Sequence, residues 1–154
     1  MRLVNLVRIL LVVAVLSGYS AWVSWERQSK TPPRATEYVE STDIPLWRRA
    51  DAEALWHDPS TLFVDVRSSI DFEFGHIAGA ISLPEEEIEQ RLPELKSSLE
   101  QANTIVVYCK NRDCGKSLWA AIRLRQAGLR QTGIYPQGWN DWYLDGLPTE
   151  GTGR

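Results

Sequence analysis

The stretch Ile105-Val106-Val107-Tyr108-Cys109-Lys110-Asn111-Arg112-Asp113-Cys114-Gly115-Lys116-Ser117 constrains the fold more than any other. An apolar, β-rich run ends at a cysteine, crosses a short polar loop and enters a helical pattern. It reads as a buried strand, a tight loop and the first turn of a helix. A thiol at such a strand end faces unpaired backbone N–H groups, and these, with the helix dipole, favour a thiolate. Cys109 is therefore the candidate nucleophile. The plainer alternative is a small buried residue that closes a strand, a common place for a free cysteine.

The rest of the chain supplies a scaffold of the matching kind. Residues 46–56 have a helical rhythm, broken at Asp58-Pro59. Residues 61–66 are short, apolar and β-rich, as a buried strand requires. A loop, one helical turn and a glycine-marked turn lead to a short strand at residues 80–82. Two short helices follow, at residues 85–92 and 93–99, with Pro93 at the break. The acidic run Glu85-Glu86-Glu87 reads as a solvated first turn. Residues 117–127 form a helix closed by Gly128, residues 133–136 a last strand, and residues 137–143 a turn into a final helix. Alternating strands and helices imply an α/β fold with a parallel sheet covered on both faces. Active sites of such sheets lie at the carboxyl ends of strands, where Cys109 stands.

Ahead of this part lies a different composition. Residues 9–25 carry no charge, and seventeen residues is the short limit of a bilayer span. Trp22 and Trp25 fall where an interfacial aromatic belt would sit. The expected organisation is a membrane anchor at residues 1–25, a polar linker at 26–42 and one folded domain at 43–151. A cleaved signal peptide is the rival for the first segment. The short basic N-terminus favours a single-pass anchor with the domain outside the cytoplasm, in a periplasm if the chain is bacterial.

Charge narrows the partners. Residues 1–30 hold four basic residues against one acidic, leaving 13 basic against 19 acidic for the rest. An acidic body without a basic stripe gives nucleic-acid binding little support. Within it, Lys110, Arg112 and Lys116 against Asp113 make the Cys109 loop locally positive, which suits a small anionic sulfur or oxyanion substrate. Two cysteines are too few for a disulfide scaffold, and His57 and His76 have no ligand spacing to complete a zinc site. No cofactor is called for. Cys109 and Cys114 are not the Cys-x-x-Cys of redox enzymes, but they can close a small disulfide ring if the geometry permits.

Three ordered motifs carry a resemblance. Asp65-Val66-Arg67 with Phe72, Gly75-His76-Ile77, Gly79-Ala80-Ile81 and Leu83-Pro84 make the first. Val107-Tyr108-Cys109 with Ser117, Ala120-Ala121, Leu124 and Gly128 make the second. Gly138-Trp139 with Trp142, Gly146-Leu147-Pro148 and Gly151 make the third. Together they resemble the rhodanese-like domain. The resemblance implies a three-layer fold with a central, mostly parallel five-stranded sheet. It also implies a persulfide on Cys109, passed to a thiophilic acceptor, with Lys110, Asn111, Arg112, Asp113, Cys114, Gly115, Lys116 and Ser117 as the loop around the sulfur. Asp65 and Arg67 match a structural ion pair, and His76 a residue that orders a turn.

The loop departs from the family pattern. Seven residues separate Cys109 from Ser117 where five are typical, Gly115 falls late, and the place of a phosphate-clamping arginine is not filled. The leading expectation is a membrane-anchored sulfurtransferase that takes sulfur from thiosulfate or a persulfide and gives it to a thiol or protein acceptor. The alternatives are a thiol redox or sensing module using a Cys109–Cys114 disulfide, and a non-catalytic binding module at the membrane.

Overall fold

The computed structural model describes residues 43–153, so the expected anchor and linker lie outside the described residues. Three apolar runs form the middle of a parallel sheet: β1 (Thr61–Asp65), β4 (Thr104–Tyr108) and β5 (Thr132–Tyr135). A two-residue strand, β3 (Ile81–Ser82), pairs with the free side of β1. The order is β3-β1-β4-β5, all parallel, with β1 matched to β4 along its whole length from Thr61–Thr104 to Asp65–Tyr108.

The expected fifth strand of the sheet is reduced to a single parallel bridge between Leu46 and Ile134. Trp47 donates its N–H to Ile134 (2.8 Å), and Ile134 donates to the Pro45 carbonyl (2.8 Å). Proline has no N–H to extend the ladder, so pairing stops there. Gly133 is required by the same contact: a Cβ on it would come within 2.6 Å of the Trp47 ring and 2.7 Å of the Pro45 oxygen.

Strand alternation sorts the core into two faces. Ile105, Val107 and Cys109 point to one side, with Val64, Val66 and Ile134. Helix α3 (Ile88–Gln101) and helix α4 (Lys116–Gln126) cover that side through Ile88 and Leu99, and through Leu118, Ala121 and Leu124. Val106 and Tyr108 point to the other side, with Phe63 and Tyr135. Helix α1 (Arg49–Trp56) and helix α5 (Gly138–Leu144) cover it through Ala52 and Trp142. Trp142 is fully buried among Phe63, Trp56 and Tyr135, and its indole N–H reaches the Pro148 carbonyl (2.8 Å).

Two readings of the sequence need correction. Pro93 does not separate two helices; it lies inside α3, which follows a 3-10 turn at Glu85–Glu87. A proline costs a helix interior ~3 kcal/mol. Leu99 is fully buried and Leu92 and Leu95 partly so along the stripe that packs on the core, and full burial of one such side chain alone returns ~1.5–3 kcal/mol. Burial outweighs the break. The second correction is a small antiparallel sheet, β2 (His76–Ile77) with β6 (Thr149–Glu150), where only turns were expected. It ties the segment after helix α2 (Ser69–Phe74) to the end of the described chain.

Candidate active site

Cys109 follows the last residue of β4 and is 3% exposed. Its side is set by parity: two residues beyond Val107, it must face α4 rather than α5. Helix α5 holds its backbone instead. The Trp139 N–H donates to the Cys109 carbonyl (2.8 Å), and the Asn140 N–H donates to the Lys110 carbonyl (3.0 Å). Gly138 makes this approach possible. Its φ is +67°, and a Cβ there would collide with the Cys109 carbonyl oxygen. The site expected from the sequence includes no residue of α5, although Gly138 directly before Trp139 carries the signal.

The loop folds back on itself. The Cys114 N–H donates to the Asn111 carbonyl (3.1 Å), and the Asp113 N–H donates to Asn111 Oδ1 (3.2 Å). This turn carries Cys114 over Cys109, and the two are joined by a disulfide with a Cα–Cα distance of 6.2 Å. The ring-closing alternative is thus the state observed, and the candidate nucleophile is capped. Beyond the ring, Ser117 Oγ approaches the Cys114 carbonyl at 3.5 Å, and Trp119 N–H donates to Gly115 as α4 begins. Ser117 is buried, while Lys110, Arg112 and Asp113 are exposed.

Lys116 stands in the first turn of α4, where the helix dipole disfavours a cation. Glu86 answers it from the 3-10 turn, with Nζ 3.0 Å from Oε2. One residue of the acidic run is therefore more than a solvated turn. The Glu86 carboxyl is held below its ordinary range by its own backbone N–H and by Lys116. A lowered folded-state value stabilises at neutral pH and is lost as pH falls through it. The pair is exposed, so the contribution is small.

A buried ion pair lies at the end of β1. Arg67 grips Asp65 through Nη2 (2.6 Å to Oδ2) and Nε (3.0 Å to Oδ1), and its backbone N–H donates to the same carboxylate (2.9 Å). Nη2 also reaches the Gly75 carbonyl (2.6 Å), and the Trp139 ring covers the guanidinium at 4.8 Å. Tyr108 Oη accepts the Ile77 N–H (3.1 Å). Burial, with the Asp65 charge nearby, pushes that phenol well above its ordinary range, so it stays neutral. His76 stacks on Phe72 (3.6 Å between centroids), with Nδ1 2.7 Å from the Phe72 carbonyl and Nε2 3.5 Å from Glu150. These residues join the end of β1 to β2 and α5, apart from the Cys109 loop.

The description of the rhodanese-like domain matches residues 49–145. The chain belongs to the rhodanese-like family. A rhodanese-like domain from Anabaena sp. superposes with a TM-score of 0.60 at 30% identity, over 71% of this chain and 80% of that one. A thiosulfate sulfurtransferase from Pseudomonas aeruginosa shares the fold at 23% identity, with a TM-score of 0.56, over 70% of this chain and 20% of that one. By sequence, an HTH-type transcriptional regulator of Mycobacterium tuberculosis is 37% identical over 87 residues, 56% of this chain and 36% of the relative. A tRNA uridine(34) hydroxylase of Erwinia tasmaniensis is 32% identical over 76 residues, 47% of this chain and 22% of the relative. The chain thus spans only about a third or less of the curated relatives it matches. Among the described residues of this rhodanese-like domain, no helix is long and apolar enough to cross a membrane.

Gly138→Ala tests the clamp on the Cys109 carbonyl. A left-handed alanine costs ~1–2 kcal/mol before the clash is counted, so unfolding in urea should show a loss of about 2–4 kcal/mol. A loss below about 0.5 kcal/mol would mean that α5 does not hold the loop.

Proposed function

We propose that this rhodanese-like domain is a sulfurtransferase, competent when the Cys109–Cys114 bond is reduced. The observation that carries the proposal is the placement of Cys109. It lies at the carboxyl end of β4, buried, with its carbonyl clamped by Trp139 and its side chain on the face covered by α4. Family membership supports the same reading. Reduced Cys109 attacks the outer sulfur of a small anionic donor such as thiosulfate. The donor S–S bond breaks, sulfite leaves with the electron pair, and Cys109 keeps a persulfide. A thiol or protein acceptor then takes the outer sulfur and returns the Cys109 thiolate. Exposed Lys110 and Arg112 favour an anionic donor by charge.

The disulfide itself favours a second reading, a thiol redox module in which sulfur is never carried. We also propose that residues 1–25 hold the domain at a membrane, outside the cytoplasm, where an oxidising compartment suits a disulfide. The M. tuberculosis and E. tasmaniensis relatives are longer proteins, of which this chain spans 36% and 22%.

Sulfite release separates the two chemical readings whatever becomes of the persulfide. Reduced full-length protein should release sulfite from thiosulfate, the oxidised protein should not, and Cys109→Ser should release none. If reduced wild type is inert toward both thiosulfate and low-molecular-weight persulfides, the redox reading replaces this one. For the placement, protease added to intact spheroplasts should digest the domain. Protection until the cells are lysed would contradict an external domain.

A further inference from the structure

The loop turn does more than close a ring. Its two ends are held independently of the disulfide: Cys109 and Lys110 by the N–H groups of Trp139 and Asn140, and Gly115 by the start of α4. Between them, both the carbonyl and the side chain of Asn111 fold the chain so that Cys114 lies against Cys109. These are the two cysteines of the whole sequence. Their exposures differ: Cys109 is buried at 3%, whereas Cys114 is partly exposed.

We propose that Cys114 is a resolving thiol, which converts the Cys109 persulfide into the Cys109–Cys114 disulfide and releases the carried sulfur as hydrosulfide. This rests on the persulfide reading above and extends it from transfer to reduction. The Cys114 thiolate attacks Cys109 Sγ, the inner sulfur of the persulfide. The bond from Cys109 Sγ to the outer sulfur breaks, and its electron pair leaves with that sulfur. Hydrosulfide takes up the proton given by the Cys114 thiol. Over the cycle the sulfane sulfur gains two electrons, and the two cysteines lose them. A second dithiol, such as a thioredoxin-like protein, supplies two electrons and two protons to reset the loop. It attacks Cys114, the accessible sulfur of the bond, and Cys109 leaves as a thiolate.

Proximity and the leaving group both favour the step. Attack within the loop is unimolecular, so it outpaces a free acceptor at ordinary concentrations. The proton from the Cys114 thiol goes to the outer sulfur as the bond breaks, so that it leaves as hydrosulfide, and a leaving group of lower pKa leaves faster. The disulfide seen in the structure is then the product of turnover rather than a fixed staple.

The test uses full-length protein, reduced, freed of reductant and given thiosulfate as the only sulfur compound. Sulfite and sulfide are measured together, with intact mass on the protein. Wild type should release sulfide in step with sulfite and end two hydrogens lighter than the reduced chain. Cys114→Ser should release sulfite but no sulfide and retain the mass of one extra sulfur atom. Cys114→Ala, which adds no hydroxyl, should match it. Sulfite without sulfide from wild type, with the extra sulfur retained, overturns the resolving role and leaves the persulfide standing. Absence of sulfite from every variant overturns both.

Discussion

The pairing of β1 with β4 is the contact on which the site depends. These neighbours run in register from Thr61–Thr104 to Asp65–Tyr108, and both stop at the same level of the sheet. That common stop places Asp65 beside Tyr108 and leaves Cys109 as the next residue out. Alternation along β4 then turns Cys109 toward α4 and Tyr108 toward α5. A slip of one residue would exchange the two, burying a phenol where the thiol belongs.

The level is locked by charge as well as by packing. Asp65 and Arg67 are 0% and 6% exposed, so each needs the other. Removing one partner of such a pair costs ~3–5 kcal/mol, because the remaining charge stays buried. Arg67 spends its other contacts on the Gly75 carbonyl and the Trp139 ring. Trp139 belongs to the turn that clamps Cys109, so the ion pair and the loop share a neighbour. Their places remain separate: the ion pair holds the frame, and the loop carries Cys109 and Cys114.

Much of this was legible in the sequence. The runs at β1, β4 and β5 stand out because strands buried on both faces need continuous apolar residues. Cys109 was marked by its position at a strand end, and Gly128 by its place after α4, where its φ is +100°. Other features leave no local trace. Strands β2 and β6 are two residues each, too short for any period, and they pair across more than seventy positions. The Glu86–Lys116 pair spans thirty residues. Pro93 misled because a local penalty was read without the leucine burial that offsets it. The disulfide was left open, since a Cys-x4-Cys spacing permits a bond without requiring one.

The bond closes a ring of only five residues' separation, for which loop entropy supplies roughly 2 kcal/mol, less than for the long loops of disulfide scaffolds. The strand pairings and most of the two-faced core lie outside this ring. We propose that the bond is reversible and that the fold stands without it. Alkylation of thiols in the native full-length protein, before and after treatment with a dithiol, tests this most directly when circular dichroism is followed on the same samples. The account predicts no reactive cysteine before reduction, both Cys109 and Cys114 after it, and an unchanged native spectrum. Reactive thiols at the outset, or loss of the native spectrum on reduction, would contradict it.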